Sequence, residues 1–429
     1  MGKKVRNADH VRRKNVPGPD NAVVKAHLES LLSPAVYSQV AYFQSLGLRA
    51  RILSLPLMVA ALLTLLWQQI PGVSELTRVL NRDGALWFGP VKVSQAAVSK
   101  RLQSLPYELL RQVFMALLPV LQTRWQARQR PLPESLVVAR RQFAHVYAVD
   151  GSSLEALFRK LAVLEGAPLG QLGGKIGTIV DLAMRLPEHI FFRGEALAHD
   201  TTFLPDILSL IQAGTLWVFD RGFYDFAFFG DVMERGGHFI TRLKANAVFQ
   251  VRTVLTNTPT LRDRVISLGG TTPCRYPLRL VEVRVKDTWY RYVTSVLDPA
   301  LLPPLVVADL YRRRWRIEEA FLIVKRLLNL AYLWTGSRNG ILLQVWATWL
   351  FFAVLVDLTD AIAEQLMRPF DDLSLEMVFR GLYHFHRAFS KGLASDPVQY
   401  LADPANRDLG ILKRLPPSRP SRLSLSFEA

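Results

Sequence analysis

The fifteen residues 311-YRRRWRIEEAFLIVK-325 mix basic, acidic, aromatic and apolar side chains at a spacing that suits one helix. On a helix that turns by about 100° per residue, Arg314, Glu318 and Lys325 fall within roughly 60° of one another. The stretch therefore predicts a helix that packs through one face and presents a guanidinium, a carboxylate and an ammonium on the other. The neighbouring Glu319 is the rival carboxylate, but it falls off this line. The apolar residues lie on the opposite side: Ile317, Ala320, Phe321, Val324 and Leu328.

Two aspartates upstream follow apolar segments with the composition of β-strands. Asp150 ends the segment 142–150 and precedes a glycine, and Asp220 ends 215-TLWVFD-220. A strand end followed by a turn is a rigid mount that opens toward ligands, although Asp-Gly is also ordinary turn chemistry. With Glu318, these aspartates give three oxygen ligands for hard divalent cations such as Mg²⁺. Two such ions about 4 Å apart can activate a water or a 3′-hydroxyl against a phosphodiester.

Other side chains on the same helix suit a phosphodiester substrate. Arg314 and Lys325 lie one turn before and two turns after Glu318, where they can hold flanking phosphates. Tyr311 and Trp315 can stack on bases or sugars beside the cleavage point. The alternative is a surface helix whose arginines form intrahelical ion pairs with its glutamates.

The composition points to a polyanionic partner. The chain has 429 residues and a formal net charge of +17, which is typical of proteins that bind nucleic acid or an anionic membrane. Its single cysteine, Cys274, excludes an internal disulfide and a cysteine-rich zinc site, and is compatible with a reducing cytoplasm. Residues 1–25 are basic, lack a signal-peptide core and are expected to form a disordered arm.

Two uncharged apolar runs, 52–67 and 339–356, raise the question of membrane insertion. A membrane-spanning helix needs about 20 predominantly apolar residues. Both runs are at or below that length, and Pro56 and Gln344 interrupt them. We therefore expect two buried core helices and no membrane partner, with an integral membrane protein as the alternative class.

The pattern of residues 26–135 is helical, with apolar residues at three- and four-residue spacing. Within it, 92-KVSQAAVSKRLQSLP-106 predicts a short helix with Ser94 as its cap. It follows an earlier helix across a glycine-containing loop, which suits a helix-turn-helix. Lys100 and Arg101 would then face the major groove.

The middle of the chain predicts a mixed α/β architecture. Alternating strand patterns separated by helical stretches favour a mixed sheet with helices packed on it. A core is expected over 136–245 and 303–360, the second part bearing the helix at about 305–330. A β-rich insertion is expected over 246–302, and a helical region with a disordered tail over 361–429. The expected strands are 142–150, 175–186, 188–194, 215–220, 238–244, 247–255, 278–285 and 288–297, and the expected helices between them are 153–164, 203–213 and 225–235.

The spacing of Tyr311, Arg314, Glu318 and Lys325 reproduces a Tyr-Arg-Glu-Lys signature. In this respect the chain resembles the DDE transposases of bacterial insertion sequences, in the family named after insertion sequence number four. The segments 149-VDGS-152 and 219-FDRGFYDF-226 also look like family sequence, and the resemblance covers about residues 140–360.

This resemblance implies an RNase H-like fold in which Asp150, Asp220 and Glu318 bind two Mg²⁺ ions, or Mn²⁺ in their place. It implies nicking of double-stranded DNA at the element ends, strand transfer into target DNA and a homodimer in the synaptic complex. It also implies that the helical region 26–135 recognises the DNA ends. It also implies a bacterial, nucleoid-associated protein, and makes Trp289 in the insertion a candidate for holding a flipped base. A nuclease of the same fold that cuts without joining, and a transposase-derived DNA-binding protein without catalysis, stay open as alternatives.

Overall fold

The computed structural model describes residues 22–48, 51–154, 174–195, 197–328 and 337–413. Almost all of the basic arm predicted for residues 1–25, and nearly all of the helix predicted over 153–164, lie outside these ranges. The tail predicted at the C-terminal end lies outside them as well.

The strands of the described ranges form one nine-stranded mixed sheet in the order β3-β2-β1-β4-β5-β9-β8-β7-β6. β1 runs parallel to β4 and β4 runs parallel to β5, whereas the other pairs are antiparallel. This sheet confirms the mixed α/β class and is consistent with an RNase H-like core that β6–β9 extend. The strands are β1 His145–Ser153, β2 Lys175–Asp181, β3 Pro187–Arg193, β4 Thr215–Phe219, β5 His238–Arg242, β6 Phe249–Asn257, β7 Leu261–Leu268, β8 Leu278–Val285 and β9 Thr288–Thr294.

Two strand predictions need correction. The segment 175–186 is not one strand, because β2 ends at Asp181 and a tight turn leads into β3, with Arg185 at φ 62°. Strand β7 was not predicted, because charged residues at 262–264 interrupt its apolar alternation. Asp263 and Arg279 from the next strand pair in the interior at 2.6 Å, and this contact is not visible in local periodicity.

Helices pack on both faces of the sheet. In chain order they are α1 Ala22–Tyr37, α2 Val40–Ser45, α3 Leu55–Trp67, α4 Val73–Arg82, α5 Gln95–Ser104, α6 Tyr107–Ala127, α7 Glu134–Gln142, α8 Leu204–Leu210, α9 Phe226–Glu234, α10 Pro304–Arg313, α11 Trp315–Leu322, α12 Arg338–Gln365, α13 Leu375–Ser390 and α14 Pro397–Ala402. Short 3₁₀ turns precede α8 at Asp200–Phe203 and follow β4 at Arg221–Phe223.

Alternation along the strands sends side chains into two separate cores. On β1, Val149 joins the aromatic core that α8 and α9 cover, with Phe229 and Phe239. Ala148 faces the opposite core, which α10, α11 and α12 cover. The fold is therefore three-layered, and each side chain of β1 is assigned to one face by its position in the strand.

The N-terminal helices belong to the same core as the second face of the sheet. Leu32 of α1, Leu62 of α3 and Leu117 of α6 share one apolar cluster with α12 and α13. At the end of α6, Arg128 pairs with Asp360 of α12 at 3.0 Å. Residues 26–135 and the rest of the chain thus share one apolar core. The domain boundary at residue 135 stays a prediction.

The two short helices of the predicted DNA-recognition segment are present. Ser94 caps α5 by accepting a hydrogen bond from the Ala97 amide at 3.2 Å, as expected. The connection from α4 to α5 spans residues 83–94 and includes a tight turn at Gly84, where φ is 83°. This connection is longer than the 3–4-residue turn of a helix-turn-helix, so the pair does not have that motif's geometry.

Both uncharged runs form helices that are packed inside the protein. Every residue of α3 is buried, and Pro56 lies in its first turn, where a missing amide hydrogen is tolerated. Helix α12 is long and apolar enough to cross a membrane, but its most apolar 18-residue window is 100% buried inside the protein. The core helix of a soluble protein has these same properties.

A buried carboxylate lies at the end of the sheet opposite Asp150. Both oxygens of Glu188 accept hydrogen bonds from Gln122 Nε2, at 3.0 and 3.1 Å. Burial and the nearby Asp181 raise the pKa of Glu188 to about 7, against the opposing effects of Gln122 and His145. The hydrogen bond between His145 and Asp181 raises the pKa of His145.

We predict that Glu188→Gln makes stability less dependent on pH. The folded protein keeps a proton on Glu188 up to about pH 7, whereas the unfolded chain releases it near pH 4.5. Stability of the parent protein should therefore fall as pH rises from 5 to 8, and the variant should avoid on the order of 1–3 kcal/mol of that loss. Urea unfolding at several pH values measures it. Glu376→Gln is the control, because Glu376 is exposed. If the change in unfolding free energy caused by Glu188→Gln were as independent of pH as the change caused by Glu376→Gln, the prediction would be contradicted.

Candidate active site

Asp150 and Asp220 reach the same edge of the sheet on neighbouring parallel strands. The glycine turn expected after Asp150 is wrong, because β1 continues to Ser153 and Gly151 pairs with Gly177 of β2. Asp220 directly follows β4, as expected, and caps the 3₁₀ turn. Because β1 and β4 are adjacent and parallel and Val149 pairs with Phe219, the two aspartates that follow these residues lie side by side.

The segment 311–325 is helical but has two irregularities. Arg314 lies between α10 and α11, where its amide donates to the Tyr311 carbonyl at 3.1 Å. After α11, residues Ile323–Leu327 form a π-helical turn, and the Leu328 amide donates to the Ile323 carbonyl at 3.0 Å. Such turns widen a helix by one residue and are frequent at functional sites. The predicted inward face is confirmed, since Ile317, Ala320, Phe321, Val324 and Leu328 are all buried.

One guanidinium contacts all three candidate carboxylates. Arg314 Nη1 donates to Asp150 Oδ2 at 2.7 Å. Its Nη2 lies 3.3 Å from Asp220 Oδ1 and donates to Glu318 Oε1 at 3.2 Å. The structure thus brings together three acidic side chains that are 70 and 98 residues apart along the chain.

Burial and charge act in opposite directions at this cluster. Burial raises the pKa of Asp150 to about 6; Arg314 and the Gly151 amide oppose that rise, and Asp220 and Glu318 add to it. Burial alone would lower the pKa of Arg314, but the carboxylates of Asp150, Asp220 and Glu318 raise it overall. The cluster therefore keeps Arg314 charged and makes it the counter-ion of three acids.

Lys325 contacts the end of β1. Its ammonium donates to the Ser153 carbonyl at 2.7 Å and to the Ser152 hydroxyl. Burial lowers the pKa of Lys325 to about 8, and the charge of Asp150 opposes that shift. Lys325 therefore lies at the site, where it ties the π-turn to β1.

The two aromatic residues expected to stack on bases have different surroundings. Tyr311 is buried, lies against Tyr292 with ring centroids 5.3 Å apart, and donates its hydroxyl hydrogen to Asp220 Oδ1 at 3.4 Å. Its ring is therefore not available for stacking as expected, and its contact with Asp220 indicates an orienting role. Trp315 is 59% exposed, so its ring is open to a ligand.

The remaining charges of this helical segment are engaged in ion pairs. Arg312 and Arg313 both pair with Asp309, the latter at 2.7 Å, and Arg313 also contacts Asp371. Arg316 pairs with Glu319. The ion-pair alternative of the sequence analysis thus describes these arginines, whereas Arg314 belongs to the carboxylate cluster. Glu318, not Glu319, is the glutamate in contact with Arg314.

The other residues expected to bind DNA lie outside this cluster. Lys100 is exposed on α5, and Arg101 is half-buried with its guanidinium 5.6 Å from the Phe43 ring centroid. Trp289 is half-buried at the start of β9, and the Arg262 guanidinium lies over its ring at 4.4 Å. None of these placements tests a DNA contact.

The donor set at the cluster suits a hard divalent cation, because all three acids are oxygen ligands. Within the ranges that the structure describes, no three Asp, Glu, His or Cys side chains are arranged to hold a metal ion. The Arg314 guanidinium contacts the three carboxylates of Asp150, Asp220 and Glu318 instead. The residue types therefore fit a divalent cation. Such a cation would share these oxygens with the Arg314 guanidinium or take the place of the guanidinium.

Two contributors were missed from the sequence. Ser152 was quoted as part of a motif but given no role, although its hydroxyl meets Lys325. Asp200 lies against the glycines that follow Asp150 and Asp220, and its only local signal is an aspartate at the start of a helical turn. Helix and strand periodicity carry no information about either contact.

Comparisons with known proteins relate this chain to transposases. Residues 142–355 match the family model described as Transposase DDE domain, a range that contains Asp150, Asp220 and Glu318. The chain is similar to putative transposase y4zB of Sinorhizobium fredii (strain NBRC 101917 / NGR234), with 25% identity over 152 residues, 34% of this chain and 43% of that protein. It is similar to a probable transposase for insertion sequence element IS5377 of Geobacillus stearothermophilus, with 24% identity over 285 residues, 65% of this chain and 71% of that protein. The narrower resemblance to the insertion-sequence-four family stays a prediction.

We predict that Arg314→Met destabilises the metal-free protein. The substitution leaves three neighbouring carboxylates without their shared counter-ion, and breaking such a largely buried pair costs roughly 3 kcal/mol. Arg312→Met is the matched control, because that side chain is 62% exposed and its pair should contribute less than about 1 kcal/mol. Urea unfolding in EDTA measures both. Equal losses for the two variants would show that the shared contact is not a stabilising one.

Proposed function

We propose that this chain, which belongs to the family of proteins with a transposase DDE domain, is a DNA transposase that cleaves the ends of an insertion sequence and joins them to target DNA. The observation that carries the proposal is the single guanidinium of Arg314 in contact with Asp150, Asp220 and Glu318. It supports convergence of three carboxylates from β1, from the end of β4 and from α11 on one guanidinium, and carboxylate oxygens are the ligands that hard cations take in phosphodiester chemistry.

Divalent metal ions are general to this family, and we propose two Mg²⁺ ions, with Mn²⁺ able to substitute. Asp150, Asp220 and Glu318 would hold them through carboxylate oxygens. When bound, such ions lower the pKa of an attacking water or 3′-hydroxyl and stabilise the leaving oxygen.

The neighbouring side chains would position the DNA and the acids. Tyr311 orients Asp220 through its hydroxyl, a role supported by its burial. Arg314 holds the carboxylates in register before DNA binds and can then share its charge with a phosphate. Lys325 contacts the last residue of β1 and would pair with a flanking phosphate. The exposed Trp315 would stack on a base.

Contacts farther from the cluster would add affinity for double-stranded DNA. Lys100 and Arg101 on α5 and Trp289 on β9 are the proposed contacts, the last as a candidate to hold a flipped base. The net charge of +17 supports binding that weakens steeply with salt. A homodimer in the synaptic complex and a place in the bacterial cytoplasm at the nucleoid are parts of the same proposal.

Two other functions fit some of these contacts. A nuclease of this fold would cut DNA without joining it. A transposase-derived DNA-binding protein would do neither, but the presence of all three acids together with Arg314 and Lys325 argues against that reading.

We predict that Asp150→Asn, Asp220→Asn and Glu318→Gln each abolish Mg²⁺-dependent cleavage of DNA that carries the protein's own flanking ends, because each removes a proposed metal ligand. Glu319→Gln is the control and should cleave like the parent, since Glu319 pairs with Arg316. Gel assays of labelled ends measure both. Cleavage that survives Glu318→Gln would remove that residue's assigned role.

We predict joining as well as cleavage when a precut element end is incubated with circular target DNA and Mg²⁺. The 3′-hydroxyl of the end should attack the target and give joined or linearised product. Cleavage of intact ends without joined product would identify a nuclease, and binding without either product would identify a DNA-binding protein.

A further inference from the structure

A carboxylate that takes no part in the proposed chemistry lies behind the sheet edge. Strand alternation places Asp150 on the face of Ala148 and Gly151 on the opposite face with Val149. Asp200, the first residue of its 3₁₀ turn, approaches from the Gly151 side. It therefore lies behind the backbone of β1, on the other side from the Arg314 cluster.

Asp200 spans the two glycines that follow the candidate acids. A Cβ added at Gly151 would lie 2.3 Å from Asp200 Oδ1, and one added at Gly222 would lie 2.4 Å from Asp200 Oδ2. A side chain at either position would therefore have to displace the Asp200 carboxylate. The two oxygens of one carboxylate therefore pack directly against the backbone of both glycines.

The same glycines orient the acids on the front. The Gly151 amide donates to Asp150 Oδ1 at 2.8 Å. The Gly222 amide lies 3.4 Å from Asp220 Oδ2 and donates to it. A shift of either glycine would thus be passed to the carboxylate that its amide holds.

Asp200 is itself held in place. Lys175, the first residue of β2, has its ammonium 2.6 Å from Asp200 Oδ1, and it donates to the Ala198 carbonyl at 2.7 Å. The side chains of Lys175 and Asp200 are 14% and 22% exposed, so solvent screens this pair only partly. The pair connects β2, the 3₁₀ turn and the two glycines.

We propose that Asp200, held by Lys175, is a positioning residue that fixes the backbone behind Asp150 and Asp220 and so sets the separation of their carboxylates. The proposal rests on the proposed function, because it gives Asp200 a role in how those acids bind a divalent cation. Outer groups that orient ligands to a metal commonly change metal affinity by roughly 10–100-fold when they are removed.

The test is Mn²⁺ binding to the full chain, measured by isothermal titration calorimetry without DNA. Asp200→Ala should weaken Mn²⁺ binding by roughly 10–100-fold, and Lys175→Met should weaken it in the same direction. Asp206→Asn is the matched control, because Asp206 lies in the adjoining helix α8 and pairs with Arg193 at the surface. It should bind Mn²⁺ like the parent protein.

A second measurement needs no metal. Gly222 lies in a 3₁₀ turn, so alanine suits its backbone, and the three atoms nearest to an added Cβ all belong to Asp200. Gly222→Ala should therefore lower the melting temperature in EDTA. The same substitution in an Asp200→Ala background should lower it by less than half as much, because the clashing oxygen is gone.

The outcomes separate the two proposals. If the parent protein binds no Mn²⁺ and cleaves no DNA, the proposed function fails. If the parent does both and folded Asp200→Ala binds Mn²⁺ with parental affinity, only the role of Asp200 is overturned. Equal thermal losses for Gly222→Ala in both backgrounds would also overturn it, because the carboxylate would then not contact that glycine.

Discussion

The arrangement of this protein depends on one cation shared by three anions. Asp150, Asp220 and Glu318 repel one another, and burial makes the charge of Asp150 more costly. The Arg314 guanidinium offsets that repulsion with contacts of 2.7, 3.3 and 3.2 Å. Because Arg314 is almost fully buried, its charge depends on these carboxylates for compensation. The break between α10 and α11 lies at this residue, so the backbone irregularity and the charge cluster coincide.

The helices around the cluster make that geometry stiff. Arg313 pairs with Asp309 inside α10, and Arg316 pairs with Glu319 inside α11. The contact of Arg313 with Asp371 connects α10 to the segment before α13. Behind them, α12 lies in the middle of a core that also contains α1, α3, α6 and α13. A charged face directed at the sheet edge is thus supported by apolar packing on its reverse side, which is how a polar cluster can be held at low mobility.

The sheet edge is braced from two sides. Arg314 and Tyr311 contact the acids on the front, and Lys175 with Asp200 lies behind the glycines on the back. Glycine at 151 and 222 has a physical reason here, since any larger residue would displace the Asp200 carboxylate. Positioning from both faces is useful where two acids must keep a fixed separation, because a displacement of about 1 Å can cost 10²-fold in rate.

The sequence by itself determined what depends on local periodicity and residue chemistry. Alternation predicted most strands, the helical wheel separated Glu318 from Glu319, and the apolar segments before Asp150 and Asp220 made these two acids candidates. Only the tertiary structure decided which partner each polar group takes. It buried Tyr311 against Asp220, tied Lys325 to Ser152 and Ser153, gave the other arginines their ion pairs, paired β7 into the sheet, and placed Asp200 behind two glycines. The reason is physical: periodicity reports which face of an element is apolar, whereas contacts such as Arg314 with Asp150, 164 residues apart, depend on how whole elements pack.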